Sequence, residues 1–149
     1  MPKVTPRTKA SAAFSRYIRL RDSLEYCQSK GIDTGQFIRP EDIFGMCCTC
    51  GAVKSWIRMD AGHFKGRGIG GGSGTYFDER NVHLQCKRCN GFEGGRVQDY
   101  EKFIIEKYGQ SVLDELEIKH RCTSRMGPVE LQIIEKHYKE EYKKLVNFI

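Results

Sequence analysis

The segments CCTC at residues 47–50 and CKRC at residues 86–89 are the strongest structural signal in this chain of 149 residues. Each is a Cys-x-x-Cys pair, and each pair can present two thiolates at about 2.3 Å to one tetrahedral Zn²⁺ ion. Free buried cysteines would not explain two identical spacings, and a redox pair would need a βαβ context that is missing here. We therefore predict a closed, structural zinc site whose ligands are Cys47, Cys50, Cys86 and Cys89, with Cys48 as an alternative to Cys47.

The composition is that of a single small globular protein with an excess of basic side chains. The chain carries 25 Lys and Arg against 19 Asp and Glu, and residues 1–30 hold seven basic and two acidic side chains. Such a balance is compatible with a polyanionic partner. No apolar run approaches the roughly 20 residues of a membrane-spanning helix, and the odd number of cysteines argues against a disulfide scaffold. We expect an intracellular protein with no membrane partner, in which Cys27 and Cys122 are buried thiols.

The hydrophobic pattern predicts an α+β fold. Helical spacing indicates an amphipathic basic helix over residues 10–24 and a second helix over residues 97–108, and Gly127-Pro128 is typical of the start of a last helix. Alternation predicts a short strand at residues 55–60 and another near residues 75–77, on either side of a glycine-rich loop. We divide the chain into a basic N-terminal helix at 1–30, a zinc-bound core at 31–109 and a C-terminal helical extension at 110–149.

The segment between the two cysteine pairs carries a recognisable motif. His63 follows the first predicted strand, Asn81 lies five residues before Cys86, and Asn90 directly follows Cys89. This arrangement resembles the HNH endonuclease motif in its His-Asn-Asn form. In that family these residues lie on a hairpin and helix called the ββα-metal fold, so the resemblance implies a zinc-stapled ββα-metal core.

The resemblance also implies roles for these side chains. His63 would be the general base, Asn81 would orient its imidazole through the side-chain carbonyl, and Asn90 would bind the catalytic metal, Mg²⁺ or Mn²⁺. Many HNH enzymes place Asp or His directly before the base, but Gly62 stands there in this chain, so Asp60 is the substitute candidate for a metal ligand. The chemistry suits phosphodiester hydrolysis, which needs a base for water and a hard cation with oxygen ligands.

A closer resemblance extends beyond the motif. The runs AFSRYIRLRD at residues 13–22, DAGHF at 60–64 and NVHLQC at 81–86 are similar to the NinG or Rap family of phage recombination endonucleases. This implies structure-specific cleavage of branched DNA, such as Holliday junctions and D-loops, in the cytoplasm of a bacterial host. Symmetric cutting of a junction would favour a homodimer. The predicted phosphate contacts are Arg16, Arg19, Lys65, Arg67, Lys87 and Arg88.

Two other functions compete with the nuclease hypothesis. The first is a zinc-dependent nucleic-acid-binding module without catalysis, although binding alone would require neither His63 nor the two asparagines. The second is a protein-interaction module built on the last helix, whose apolar stripe includes Tyr138 and Tyr142. The motif supplies no position for His83, whose role stays open.

Overall fold

A computed structural model describes residues 2–66, 72–123 and 125–149, and it has the predicted α+β architecture. Two antiparallel hairpins lie in the middle of the chain, with one long helix before them and three helices after them. A short helical turn of π type, Arg88–Phe92, follows the second hairpin and is called the π turn below. The elements are α1 Pro6–Ser29, β1 Phe44–Met46, β2 Val53–Ser55, β3 Met59–His63, β4 Val82–Cys86, α2 Val97–Tyr108, α3 Gln110–Arg121 and α4 Pro128–Phe148.

The first helix is longer than its hydrophobic pattern predicts. It begins at Pro6 because Thr5 and Thr8 form a capping box, in which the Thr8 N–H donates to the Thr5 hydroxyl at 3.2 Å and the Thr5 N–H donates to the Thr8 hydroxyl at 2.8 Å. Proline is favoured at such a start because its missing N–H would be unpaired there anyway. The buried face of α1, including Phe14 and Ile18, then packs on the hairpins.

The two hairpins carry the cysteine pairs and the motif residues. In the first, Phe44 pairs with Ser55 and Met46 with Val53, so the CCTC segment forms the connection between β1 and β2. In the second, Met59 pairs with Cys86 and His63 with Val82, so a long loop joins β3 to β4. Residues of the β3–β4 hairpin therefore lie between the cysteines at one end and the loop at the other.

The second predicted strand, near residues 75–77, is wrong. That segment forms turns, in which the Tyr76 N–H donates to the Ser73 carbonyl at 3.2 Å and the Asp78 N–H donates to the Thr75 carbonyl at 3.1 Å. Backbone groups used within consecutive turns cannot pair with a neighbouring strand. The strand that pairs with β3 starts later, at Val82.

Three hydrophobic clusters hold the layers together. On one side of the β3–β4 hairpin, α1 and α4 pack around Phe14, Val82 and Tyr138, and the rings of Phe14 and Tyr138 meet edge to face at 4.8 Å. A second cluster joins α1, both hairpins and the cysteines, and Tyr142 packs against it. The apolar stripe of α4 is therefore used for internal packing, which removes the main reason for a protein-interaction module.

The third cluster lies on the other side of the hairpin, where α2 and α3 pack around Tyr100, Ile104 and Leu116. The predicted end of α2 is confirmed, since Gly109 follows Tyr108 with a φ of 95° that glycine adopts readily. Since the second cluster joins residues from all three predicted segments, the segments share a core.

Within the described ranges, no helix is long and apolar enough to cross a membrane.

Candidate active site

The four cysteines predicted to bind metal lie together at one end of the β3–β4 hairpin. Their Sγ atoms are all within 4.8 Å of one another, and those of Cys50 and Cys86 are 3.7 Å apart. Four thiolates at 2.3 Å from a tetrahedral ion would lie about 3.8 Å from each other. The set Cys47, Cys50, Cys86 and Cys89 can therefore hold a structural metal such as zinc.

The alternative ligand, Cys48, has a different position. Its backbone N–H donates to the Leu84 carbonyl at 2.9 Å, and its side chain packs beside the cluster that contains Phe64 and Tyr100. Burial raises the pKa of the Cys48 thiol, whereas Cys47 lies among the other three sulfurs. Cys27 is buried as predicted, but the prediction for Cys122 is wrong, because its side chain is exposed near the end of α3.

Hydrogen bonds favour the thiolate form of Cys47. Burial raises the pKa of this thiol, but hydrogen bonds from the Thr49 hydroxyl and from backbone N–H groups outweigh burial and lower the pKa to about 6. The Thr49 hydroxyl lies 3.3 Å from the sulfur. The thiolate is the form that binds metal, and Cys47 is the ligand whose surroundings favour it, whereas burial raises the pKa of Cys50 and of Cys89.

A cleft of about 640 Å³ lies between α1, β3 and the π turn. Three of the predicted site residues, Asp60, His63 and Asn90, line it together with the cations Arg19 and Lys87. β3 supplies Asp60 and His63, and Asn90 comes from the π turn. The closed cysteine cluster and this open cleft thus use the same hairpin.

Asp60 is the centre of the polar contacts in the cleft. Its Oδ1 atom accepts from the Lys87 ammonium at 2.8 Å, and its Oδ2 atom accepts from the Asn90 amide at 3.1 Å. Partial burial raises the pKa of Asp60, but these hydrogen bonds and the charges of Lys87 and Arg19 outweigh it and lower the pKa. Asp60 is therefore an ionised carboxylate that already faces a cation.

His63 is held by Tyr76 from the loop. The His63 Nε2 atom lies 3.0 Å from the Tyr76 carbonyl oxygen, and the two rings stack with centroids 4.4 Å apart. Because a carbonyl oxygen can only accept, Nε2 must carry the proton, and Nδ1 of a neutral ring then holds the lone pair. The hydrophobic pattern gave no reason to select Tyr76, since its role depends on how the loop turns back over β3.

Asn81 is fully buried and holds the two ends of the loop together. Its Oδ1 atom accepts from the Lys65 backbone N–H at 2.8 Å, and its amide donates to the carbonyls of Lys65 and Thr75 at 3.0 and 3.1 Å. The carbonyl predicted to orient His63 is thus used by the backbone of Lys65. The described contacts link Asn81 to His63 indirectly, through the backbone of Phe64 and Lys65 on one side and through Thr75 and the adjacent Tyr76 on the other.

The structure gives a steric reason for Gly62 between Asp60 and His63. A Cβ atom at this position would lie 2.0 Å from Oε1 and 2.9 Å from Cβ of Gln85. Gln85 is itself fully buried, and its amide donates to the Thr49 hydroxyl and to the Gly95 carbonyl. A metal-binding side chain therefore has no room at position 62 unless Gln85 moves.

The residues predicted to contact phosphates lie in different parts of the structure. Arg19 and Lys87 line the cleft, where Arg19 donates to backbone carbonyls of Trp56 and Met59. Lys65 instead forms an ion pair with Glu117 of α3, and Arg88 donates to Glu93 at 3.0 Å. Arg16 lies on another side of α1 over the ring of Tyr142, and Arg67 lies outside the described residues.

A buried polar network on the α2 side of the hairpin accounts for His83. Its Nδ1 atom lies 3.0 Å from an Asp22 oxygen, and its Nε2 atom lies 3.1 Å from the Tyr108 hydroxyl. Arg21 donates to Asp22 at 2.8 Å and to the carbonyl of Val82 at 3.1 Å. These residues tie α1 to β4. A charged side chain at position 21, close to the apolar residues of α1, is a sequence signal that could have revealed this network, because a buried charge requires a partner.

The fold and the site define the class of this protein: it is an α+β protein in which a cluster of four cysteines, able to hold a metal ion, lies beside an open polar cleft. A family model described as "Bacteriophage Lambda NinG protein" matches residues 33–147. The chain therefore belongs to the NinG family. No solved structure shows significant similarity to it.

Curated relatives from phages agree with this family. The chain is 35% identical over 109 residues to Protein ninG of Salmonella phage P22, a match that covers 73% of this chain and 52% of the relative. It is 35% identical over 111 residues to Protein ninG of Escherichia phage 933W, covering 74% and 53% of the two chains. It is 34% identical over 111 residues to Protein ninG of Escherichia phage lambda, a match that covers 74% of this chain and 52% of the relative. The chain spans about half the length of these relatives.

Proposed function

We propose that this protein is a metal-dependent DNA endonuclease of the HNH type, which hydrolyses phosphodiesters in branched DNA during phage recombination. The observation that carries the proposal is the single cleft lined by His63, Asp60 and Asn90. The order of the elements around it, strand, strand and helical turn, is the order expected of a ββα-metal core. Membership of a phage family supports a role inside an infected bacterial cell.

His63 is the proposed general base. With its Nε2 proton donated to the Tyr76 carbonyl, Nδ1 is the nitrogen that takes a proton from water as the water oxygen attacks phosphorus and the bond to the leaving oxygen breaks. The stacked Tyr76 ring fixes the plane of the imidazole. A base held in this way loses little orientational freedom when the substrate binds.

Asp60 and Asn90 would hold a divalent cation, Mg²⁺ or Mn²⁺, which supplies positive charge at the phosphate and the leaving oxygen. A carboxylate and an amide are suitable hard donors, and the Lys87 ammonium on Asp60 marks a place where positive charge is stabilised. The Lys87 side chain is 68% exposed, so it can move away from the carboxylate. Cys89, directly before Asn90, would let the structural zinc fix the π turn.

The cations of the cleft are the proposed phosphate contacts next to the reacting bond. The guanidinium of Arg19 lies 5.1 Å from the ring centroid of Trp56 and also donates to backbone carbonyls, so it is held in one place. Such contacts to phosphates position DNA without reading its bases. This mode suits an enzyme that responds to the shape of a branch.

A cleavage assay with labelled DNA tests the proposal. Four-way junction, flap, D-loop and linear duplex substrates would be incubated with Mg²⁺ or Mn²⁺ and with three proteins: the natural chain, His63→Ala and the control His137→Ala, whose histidine is exposed on α4. We expect His63→Ala to retain DNA binding and to lose cleavage by about 10²- to 10⁴-fold. The control should cut like the natural chain.

Each outcome has a definite meaning. Cleavage confined to branched substrates would support the recombination role, and equal cleavage of all four would leave a general HNH nuclease. If the natural chain cuts no substrate with either metal but still binds DNA, the nuclease proposal fails and a zinc-dependent nucleic-acid-binding module replaces it. If the His63→Ala protein cuts normally, His63 is not the base.

Symmetric cutting of a four-way junction would require two equivalent active sites, and a homodimer is the simplest way to supply them. We propose that two copies act on one junction. Analytical ultracentrifugation of the protein with a labelled junction measures this directly. A complex that cuts both strands symmetrically with one copy bound would contradict the proposal.

A further inference from the structure

We infer that the groove between α1 and α4 binds a second duplex arm of a branched DNA, outside the cleft that holds His63. This inference rests on the proposed function, because it assumes that one arm of the substrate occupies the cleft. It assigns a role to α4, for which neither the motif nor the family resemblance supplies one. The groove has a volume of about 520 Å³, and the charged residues that line it are Lys9, Arg16, Glu135, Lys139 and Lys143.

Three of the cations that line the groove have no carboxylate partner among the described residues. It contains four basic side chains and one acidic side chain, and all four basic residues are exposed. Lys139 pairs with Glu135 at 2.6 Å. Among the residues that the structure describes, Lys9, Arg16 and Lys143 form no ion pair. Cations without a partner attract a polyanion more strongly than cations whose charge is already compensated.

Three of the predicted phosphate contacts differ in this respect. Lys65 pairs with Glu117, Lys87 with Asp60, and Arg88 with Glu93. A DNA backbone that approaches these side chains must compete with a carboxylate, whereas at Lys9 and Lys143 it meets no such competition within the described chain. The local balance of charge therefore favours a phosphate backbone in the groove over an acidic side chain from the protein itself.

Aromatic contacts form the floor of the groove. The Arg16 guanidinium lies 4.1 Å from the ring centroid of Tyr142, which in turn lies 6.4 Å from the ring of Trp56. Tyr138 is buried and packs against Phe14. A cation held over an aromatic ring loses less freedom on binding than a free side chain does. Arg16 is thus placed to meet a phosphate.

The position of the groove relative to the cleft points to two arms. Exposed Ala12 lines both sites, with Ser11, Ser15 and Arg19 on the cleft side and the groove cations on the other. α1 is about 10 Å wide and stands between them, so the cleft and the groove open on different faces of one helix. A branch point above the small side chain of Ala12 would send one arm to each side.

Charge reversal in the groove tests the inference. We would compare Lys9→Glu/Lys143→Glu with the matched control Lys30→Glu/Lys102→Glu, which makes the same change in net charge at exposed lysines away from the groove. Both pairs would be made in the His63→Ala chain, so that binding is measured without cleavage. Affinities for a four-way junction and for a linear duplex of the same length would be titrated with salt.

We expect the groove variant to bind the junction at least 10-fold more weakly than the control, and its salt dependence to lose about two phosphate contacts. Its affinity for the linear duplex should stay within about threefold of the control. Thermal unfolding of both variants verifies that they fold. If the glutamate variant does not fold, Lys9→Gln/Lys143→Gln replaces it, with an expected loss of about half the effect on a logarithmic scale.

Three results would overturn the inference. Junction affinity equal to that of the control would show that the groove does not bind DNA. An equal loss for junction and linear duplex would show a general phosphate contact without a second arm. Unchanged DNA binding with a change in oligomeric state would assign the groove to a second copy of the chain.

The proposed nuclease can fail separately. If the natural chain cuts no DNA but the groove variant alone loses junction binding, the catalytic proposal fails and the groove assignment stands. For cleavage, the groove substitutions Lys9→Glu/Lys143→Glu would also be made in the chain that keeps His63. If the natural chain cuts branched DNA and this second groove variant cuts it equally well at limiting protein concentration, the catalytic proposal stands and the groove assignment fails.

Discussion

The β3–β4 hairpin carries two sites that follow opposite rules. At one end, four sulfurs lie within 4.8 Å of one another, and three of the four cysteines are buried. Beside it, Asp60 and His63 of β3 face an open cleft, where the Asp60 side chain is 31% exposed and its partner Lys87 is 68% exposed. A closed set of soft ligands suits a structural ion, whereas an open set of oxygen and nitrogen atoms leaves room for a substrate. Distance along the chain does not separate these roles, since Cys89 and Asn90 are adjacent.

The largest expected effect comes from breaking the cysteine cluster. Cys86→Ser removes one of four ligands, and because metal binding at such a site is coupled to folding, we expect loss of cooperative unfolding and of bound zinc. Asp60→Asn should leave the thermal unfolding midpoint within a few degrees of that of the natural chain. Circular dichroism with zinc analysis measures both. If the Cys86→Ser protein folded without zinc, the cysteine cluster would not be required for folding, and the expected difference between the two sites would be wrong.

The next effect concerns the buried polar network on the α2 side of the hairpin, which contains Asp22, Arg21 and His83. Asp22→Asn leaves the Arg21 guanidinium beside a neutral group, and breaking such a buried pair costs about 3 to 5 kcal/mol. Because Asp22 ties α1 to the Leu84 backbone at 2.8 Å, we expect the cluster and the cleft to lose order together. Urea denaturation measures the free energy of unfolding. A change below about 1 kcal/mol would contradict the network's structural role.

The pH dependence of stability provides the control for this variant. Burial raises the pKa of Asp22, but Arg21, His83 and the Leu84 N–H outweigh it, and the pKa falls to about 2 from the ordinary value of 3.8. Since the folded-state pKa is depressed, the ionised carboxylate stabilises the fold above about pH 4, and this stabilisation is lost as the pH falls towards 2. It amounts to about 2 kcal/mol and should be absent from Asp22→Asn.

A smaller effect is expected at Gly62. Ala at this position would place its Cβ atom against Gln85, and overpacking of this kind costs about 1 to 3 kcal/mol. Because the Gln85 amide also donates to the Thr49 hydroxyl beside the cysteines, the clash should disturb the cysteine cluster as well as the cleft. Thermal unfolding of Gly62→Ala measures the cost, and Gly66→Ala is the matched control, since a Cβ atom there would meet no atom within 4 Å among the described residues. Equal stability of the two variants would refute this account.

The smallest effect is expected at Lys65. Its ammonium pairs with Glu117 of α3, and partly exposed pairs contribute about 0.2 to 1 kcal/mol. Lys65→Met should therefore leave junction affinity within twofold and stability within about 1 kcal/mol of the natural chain. Fluorescence anisotropy with a labelled junction measures the affinity. A large loss of affinity would return Lys65 to the DNA-binding surface.

Sequence patterns predicted the features that depend on neighbouring residues. The two cysteine pairs, the helix from Val97 to Tyr108 with Gly109 after it, and the helix that starts at Pro128 all follow from local spacing and capping. The strand near residues 75–77 was wrong because its alternation was short and its backbone groups close turns instead. A local pattern cannot show which distant strand will pair.

By itself, then, the sequence determined the cysteine cluster, the α+β class and the family, because ligand type, spacing and periodicity are properties of short segments. Tertiary structure alone decided that Asp60 meets Asn90 across 30 positions, that Tyr76 turns back onto His63, and that α4 packs on α1 to form a basic groove. These contacts depend on how separate elements bury their apolar faces together. Which faces pack together depends on the whole chain, and no single segment encodes it.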